Sequence, residues 1–226
     1  LMLLNMGLDL LTRGFTMLFL LGMLYEYKFV DWDLANAGWG VTIAYWALLF
    51  LAEDLAFYWL HRIDHSSRFF WAVHVTHHSS EQFNLTTGFR SSVFQPLYRF
   101  LYFIPLPLLG FQVEHIIFMY AATQIYGILV HTQYIDKMGF LEHVLVTPSH
   151  HRVHHASNPV YLDKNLGMCL IFWDKLFGTF QAELPEEPVR YGLHSSDIER
   201  DAVNIVLHEW KKIYADASQE KLPFFT

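Results

Sequence analysis

The chain has 226 residues, of which 53% are apolar and only 16% charged, against about 25% charged in an ordinary soluble domain. That composition excludes a disordered chain and speaks against a freely soluble surface. The net charge of -7 argues against nucleic acid as a partner, and a single Cys excludes an internal disulfide framework or a Cys-based zinc ribbon.

Leu1 opens inside an apolar run, so the sequence reads as a fragment or a trimmed chain, which leaves open a preceding targeting segment or span. Four stretches then approach the roughly 20 apolar residues that a membrane span needs. The first ends in Gly14–Tyr25; its earlier part is broken by Asp9 and Arg13, spaced to pair on one helix face. The second is Ala37–Leu60. The third, Val93–Phe111, carries Pro96, Pro105 and Pro107. The fourth is Val113–Val130. Only Gly110 to Gln112 separates the last two, which predicts a hairpin. After His131 turns and charges dominate. Leu166–Phe177 reads as an interfacial or core helix, and Ser195–Lys212 has helical spacing of Ile198, Val203, Val206, Leu207 and Trp210.

These elements predict an all-α integral membrane protein of about four transmembrane helices with a helical cap. It reads as a single domain: N-terminal spans over 1–60, a first histidine segment over 61–92, a membrane hairpin over 93–131 and a cap over 132–226. By parity the ends of the second and fourth spans share one side. That side holds Arg62, Arg68, Arg90 and nine further Lys or Arg after His131. The opposite side has Lys28 alone, so the positive-inside rule makes the histidine face cytoplasmic.

The 14 histidines are the compositional anomaly. His61 and His65 form HxxxH. His74, His77 and His78 form HxxHH, and so do His151, His154 and His155, preceded by His150. On a helix, positions i, i+3 and i+4 share a face, so each box is expected to aim its imidazoles at one spot. Imidazole suits Fe, Zn, Cu and Ni. Eight histidines exceed one tetrahedral zinc and match two metals. His131 re-emerges on the same face as a ninth ligand, with His150 and His194 as further candidates. His115, His143 and His208 read as ordinary hydrogen-bonded or surface residues. Asp64, Glu81, Asp163 and Asp174 lie beside the boxes and are candidates to hold ligand N–H groups. Glu53 and Asp54 are acids within a span, a functional signal by default: a His N–H anchor, an ion pair with Arg62 or Arg90, or a proton relay. Phe94, Tyr98, Phe100, Tyr102, Phe103, Phe118, Tyr120 and Tyr126 offer a lining for an acyl-chain tunnel to the metals, but each taken singly reads as a lipid-facing or packing aromatic.

The boxes, placed after apolar spans, resemble the fatty acid hydroxylase/sterol desaturase superfamily of integral-membrane diiron enzymes. Trp71–Leu85, Thr147–His155, Asp163–Asn165, Trp173–Phe180 and Val189–Leu193 resemble its alkylglycerol monooxygenase branch. The likeness spans about residues 53–195. It implies two irons held by His61, His65, His74, His77, His78, His151, His154 and His155, with His131 as a further ligand. Where some members carry another histidine this chain has Ile135, so His150, His194 or a water is left for a tenth position.

The resemblance also implies O₂-dependent hydroxylation of an unactivated C–H bond in a lipid, be it an alkylglycerol ether, a fatty acyl chain or a sterol-like molecule. The chain carries no haem-attachment motif, nucleotide fingerprint or Cys cluster. Electrons therefore have to come from outside, from tetrahydrobiopterin or another reduced pterin, a ferredoxin or a cytochrome. Desaturation at the same irons, zinc-dependent hydrolysis with Glu81 as base, and a non-catalytic accessory subunit are the competing readings.

Overall fold

The computed structural model describes residues 7, 10–11, 14–193 and 201–218. It is helical, and among the described residues there is no β-strand, only two isolated bridges, Leu145 with Leu170 and Ala156 with Tyr191. His194, the Asp9–Arg13 pair and the start of the predicted C-terminal helix lie outside the described residues.

The chain enters through a π-helical turn, Thr16–Leu21, continued by Gly22–Tyr25. Helix α1, Trp39–Ser66, has 28 residues, about 42 Å at 1.5 Å per residue. It is the one helix among the described residues long and apolar enough to cross a membrane. Ser67, with ψ at 121°, breaks the helix, and α2, Arg68–His78, turns back against it. The third apolar stretch is not a continuous helix. It divides into Pro96–Arg99, Phe100–Phe103 and Pro105–Leu108, because each proline removes a backbone donor and favours a first-turn position. Gly110 then turns the chain at φ +84°, where an added Cβ would meet the Val30 carbonyl. Helix α3, Val113–Leu129, is the fourth stretch and packs on α1.

Beyond it lie α4, Pro148–His154, and α5, Phe172–Phe177. Only the second half of the expected Leu166–Phe177 helix forms; residues 166–171 run as a loop. Helix α6, Ala202–Ser218, lies along α2, tied by Arg68 to Asp216 at 2.6 Å and by Phe69 against Trp210. The apolar core (Leu21, Tyr45, Leu49, Phe103, Leu106 and Ile116 among others) sits between the entry turns, α1 and α3. The Tyr45 hydroxyl lies 3.0 Å from His115 Nδ1, which gives that histidine an ordinary buried partner. The histidine boxes occupy the other end of α1.

Candidate metal centre

Nine imidazoles converge in two groups. His61, His65, His74, His78 and His154 form one; His77, His131, His151 and His155 form the other. Within each group the candidate ligand nitrogens lie within 4.8 Å of one another. The two HxxHH boxes do not each serve one spot, as the spacing had suggested. His74 and His78 face the first group while His77 faces the second; His151 and His155 face the second while His154 faces the first. Helix geometry explains the division. Positions i and i+4 differ by only about 40° around the axis, whereas i+3 lies about 60° to the other side. The adjacent histidines of each doublet therefore straddle the gap between groups, and the His78 and His155 rings stack across it at 4.4 Å.

Backbone carbonyls orient many of these rings. His61 Nδ1 donates to Leu166 O at 2.7 Å, His77 to Arg90 O at 3.0 Å, His131 to Gly127 O at 2.7 Å and His154 to Lys164 O at 3.0 Å. A carbonyl only accepts, so each of these four rings carries its proton on Nδ1 and presents a bare Nε2 lone pair. His131 Nε2 nevertheless lies 3.3 Å from His77 Nε2, 3.1 Å from that of His155 and 2.9 Å from that of His151. His74 Nε2 lies 3.1 Å from that of His61 and 3.2 Å from that of His78. Buried His65 Nε2 and His154 Nε2 have no hydrogen-bond partner. Protonation does not relieve this crowding. Burial, reinforced by neighbouring imidazoles, holds His74, His77, His78, His151, His154 and His155 well below the ordinary imidazole range, and burial brings His131 down to about 4. Converging neutral lone pairs call for a cation at each centre, and two all-nitrogen sets suit borderline transition metals.

The carboxylates divide by distance from the rings. Asp163 reaches His65 Nδ1 directly at 3.1 Å. It sits in the left-handed region, as does Asn165, which ties this loop to His150 O and Gln181 O. Asp64 is fully buried; one oxygen accepts from the Tyr98 hydroxyl at 2.7 Å, and the other lies 3.8 Å from His74 Nδ1. Asp174 acts one step away. It accepts from Leu166 N, Gly167 N and the Thr179 hydroxyl at 2.6, 2.9 and 2.7 Å, fixing the loop whose Leu166 carbonyl holds His61. Asp54 grips the same loop through Cys169 N, Leu170 N and Trp173 Nε1. Glu53 accepts from the Thr123 hydroxyl at 3.0 Å and leaves its second oxygen buried without a partner. Glu81 is exposed and lies against Gly192. His150 belongs to neither group; it forms the capping box that starts α4, its Nδ1 accepting from Thr147 N at 3.2 Å.

Sequence reading missed Gln95 and the Arg152–Glu183 pair. The Gln95 amide, turned with its oxygen toward the donors, accepts from His74 Nδ1 at 3.3 Å and from Arg99 Nε at 3.2 Å. Arg152 meets Glu183 at 2.7 Å and donates to Ile135 O at 2.7 Å, clamping the segment after His131 onto α4. The signal available for Arg152 was a cation inside a histidine box, where burial demands a partner.

A cavity of about 690 Å³ opens onto both groups. His61 and His74 of the first and His77, His131 and His151 of the second line it, together with apolar residues such as Leu10, Met17, Leu18 and Ile117. Of the eight aromatic residues offered as tunnel lining, Tyr120 lines this cavity, and the others fit the packing or lipid-facing reading. Phe103 packs in the core, Phe118 points outward and the Tyr126 hydroxyl bonds Val146 O. The wall uses small residues instead, Gly88, Ala121, Gly127 and Gly167 among them.

This geometry accompanies a match to the fatty acid hydroxylase family over residues 46–179, and the chain belongs to that family. It is 42% identical over 172 residues to the alkylglycerol monooxygenase of Homo sapiens, covering 75% of this chain and 37% of that protein. It is 32% identical over 128 residues to the ornithine lipid hydroxylase of Rhizobium tropici, covering 56% and 39%. It is 27% identical over 187 residues to a Delta(7)-sterol 5(6)-desaturase of Gibberella zeae, covering 79% and 53%. The chain thus spans about 37% of the length of the alkylglycerol monooxygenases it resembles. No solved structure matches it.

Proposed function

We propose that the chain is the metal-binding unit of a membrane-bound diiron oxygenase that hydroxylates an unactivated C–H bond of a lipid. The observation that carries this reading is the pair of all-imidazole groups facing one lipid-sized cavity. His61, His65, His74, His78 and His154 would hold one iron, and His77, His131, His151 and His155 the other. Iron bound there supplies reductive activation of O₂, which zinc, lacking redox chemistry, does not.

The chain's own residues orient and enclose. The four carbonyl anchors hold the rings with Nε2 inward, and the neutral ligand set leaves the centre cationic. A cavity of about 690 Å³ suits one ligand of modest size, so a single alkyl chain extends along Met17, Leu18 and Ile117 while its reactive carbon faces the histidines. The family relatives named as hydroxylase, monooxygenase and desaturase all act on lipids by their names, which supports a lipid substrate. An external donor, a reduced pterin or an electron-transfer protein, provides the electrons.

Membrane integration is part of the reading. Val41, Ile43, Leu48 and Leu51 on α1, Phe118, Ile125 and Leu129 on α3, and Leu97 and Leu101 between them are exposed apolar residues, the pattern of a lipid-facing belt. The proline-broken stretch fits membrane depth where neighbouring helices cover its backbone. The site faces the cytoplasm on the positive-inside count. Residues 1–226 act as one such domain, with cap segments at 61–92 and 132–226.

The test is metal content of anaerobically purified protein by elemental analysis and Mössbauer spectroscopy, followed by product mass. About two coupled irons per chain, oxidised by O₂, with a product one oxygen atom heavier, is the expected result. Zinc alone from iron-replete cells, unchanged by iron reconstitution, overturns it. A product two hydrogens lighter instead makes the chain a desaturase, the reading that the sterol desaturase relative favours.

A further inference from the structure

Besides its histidines, the cavity is lined by the polar residues Arg90, Ser91, Gln95, Arg99, Tyr120 and Gln124. Both arginines hang from the histidine shell. The Arg90 carbonyl holds His77 Nδ1 at 3.0 Å, and Gln95 bridges Arg99 to His74. Neither group includes a carboxylate; the acids beside them are Asp163, at His65 Nδ1, and Asp64, 3.8 Å from His74 Nδ1. Asp64 offsets Arg99 in part.

Arg90 differs from Arg68 and Arg152. Arg68 and Arg152 meet carboxylates at 2.6 and 2.7 Å. The half-buried Arg90 guanidinium donates to Ser79 Oγ at 3.2 Å and meets no carboxylate among the described residues. Burial alone pulls its pKa down, with no anion holding it up. Gln124 adds a second open donor: its Nε2 is buried on the cavity side of α3 without a hydrogen-bond partner. Buried donors and cations of this kind are costly unless an acceptor complements them, and a guanidinium matches an oxyanion bidentately.

We infer that this polar lining of the cavity is a headgroup subsite for a single-chain lipid ending in an oxyanion, phosphate or carboxylate, held by Arg90 with Arg99 and Gln124. The inference rests on the lipid-oxygenase reading and narrows its substrate class. It places the head beside the metals and the tail toward Met17 and Leu18, so the first carbons of the chain are the ones presented for oxidation.

Binding tests it without turnover. The full chain, metal-loaded in nanodiscs of neutral phosphatidylcholine, is titrated by equilibrium dialysis with radiolabelled hexadecyl phosphate, palmitate and 1-O-hexadecylglycerol. The anionic ligands are expected to bind at least about tenfold tighter than the neutral ether. Whichever anion binds tighter identifies the head as phosphate or carboxylate. Arg90→Gln should remove that preference while leaving hexadecylglycerol binding and metal content unchanged, and Arg90→Lys should keep part of it. Equal binding of neutral and anionic lipids, or an equal loss of both in Arg90→Gln, overturns the subsite. Should Arg90→Gln lose its metal, Gln124→Leu takes its place, with the same selective loss expected and an unchanged preference refuting. Selective binding with no O₂-dependent product would leave the subsite standing while the oxygenase reading fails.

Discussion

Replacing Asp174 by Ala probes how the fold holds the first metal group from a distance. The carboxylate touches no imidazole, yet it accepts three hydrogen bonds that fix Leu166, Gly167 and Thr179. It is fully buried, so water does not replace it cheaply. Removing one partner of a buried charged network costs about 3–5 kcal/mol. With three orphaned donors at about 1–3 kcal/mol each, Asp174→Ala should fall near 4 kcal/mol once the loop relaxes. The loop's Leu166 carbonyl is what directs His61, and loss of such a support typically lowers metal affinity about 10–100-fold. The second group hangs on Arg90 and Gly127 carbonyls, which Asp174 does not reach. Chelator competition followed by elemental analysis should therefore show one metal per chain leaving early and the other retained. Asp174→Asn, which keeps the shape and loses one acceptor, should lie between. Equal loss from both groups, or destabilisation with both affinities intact, would refute the reasoning.

The division of the doublets predicts that neighbours behave differently. His77→Ala should deplete the second group and His78→Ala the first, seen as loss of different components in the Mössbauer or cobalt-substituted optical spectrum; identical spectra would show that the two rings share one ion. Gly127 lines the cavity, and a Cβ there would meet Met168 Sδ. Gly127→Leu should abolish binding of a hexadecyl chain with metal content retained, and Met168→Ala in the same chain should restore part of it. The Arg152–Glu183 pair predicts acid sensitivity. Burial pushes the Glu183 carboxyl up, but hydrogen bonds from Arg152 and Ser149 and the guanidinium charge outweigh it and hold it below the usual range. A lowered folded pKa contributes stability above the unfolded value of about 4.3 and loses it as pH falls through the folded one. Thermal melts in detergent should show Glu183→Gln losing stability at pH 7 and converging on the parent in acid; a constant gap at all pH values would remove the ion pair from the account.

Much of the candidate site was legible before any fold was known. Histidines at i, i+3 and i+4 carry their own geometry, because a helix turns about 100° per residue whatever surrounds it. The nine imidazoles that converge are the eight box residues and His131, whereas Val93–Phe111, which reads as one span, divides at its prolines into three short helices. Other features had no residue code to read. The anchors on His61, His77, His131 and His154 are backbone carbonyls of Leu166, Arg90, Gly127 and Lys164, and every residue type offers one. Asp54 and Asp174 stand out in the sequence, but that both grip the loop 166–173 shows only once it folds over them. Periodicity sets i and i+4 apart from i+3 by turning the doublet's members about 100° from each other, but only the placement of the opposing helices puts a separate group on each side of that gap. The cavity's lining was hidden for the same reason. Aromatic side chains are large wherever they stand, but space is left where small residues such as Gly127 of α3 and Gly88 of the Leu85–Gly88 turn line one cavity, and that meeting exists only in three dimensions. Sequence alone determined which imidazoles gather; the tertiary structure decided how they divide into two groups, what holds them and where the cavity lies, because those depend on contacts between segments distant along the chain.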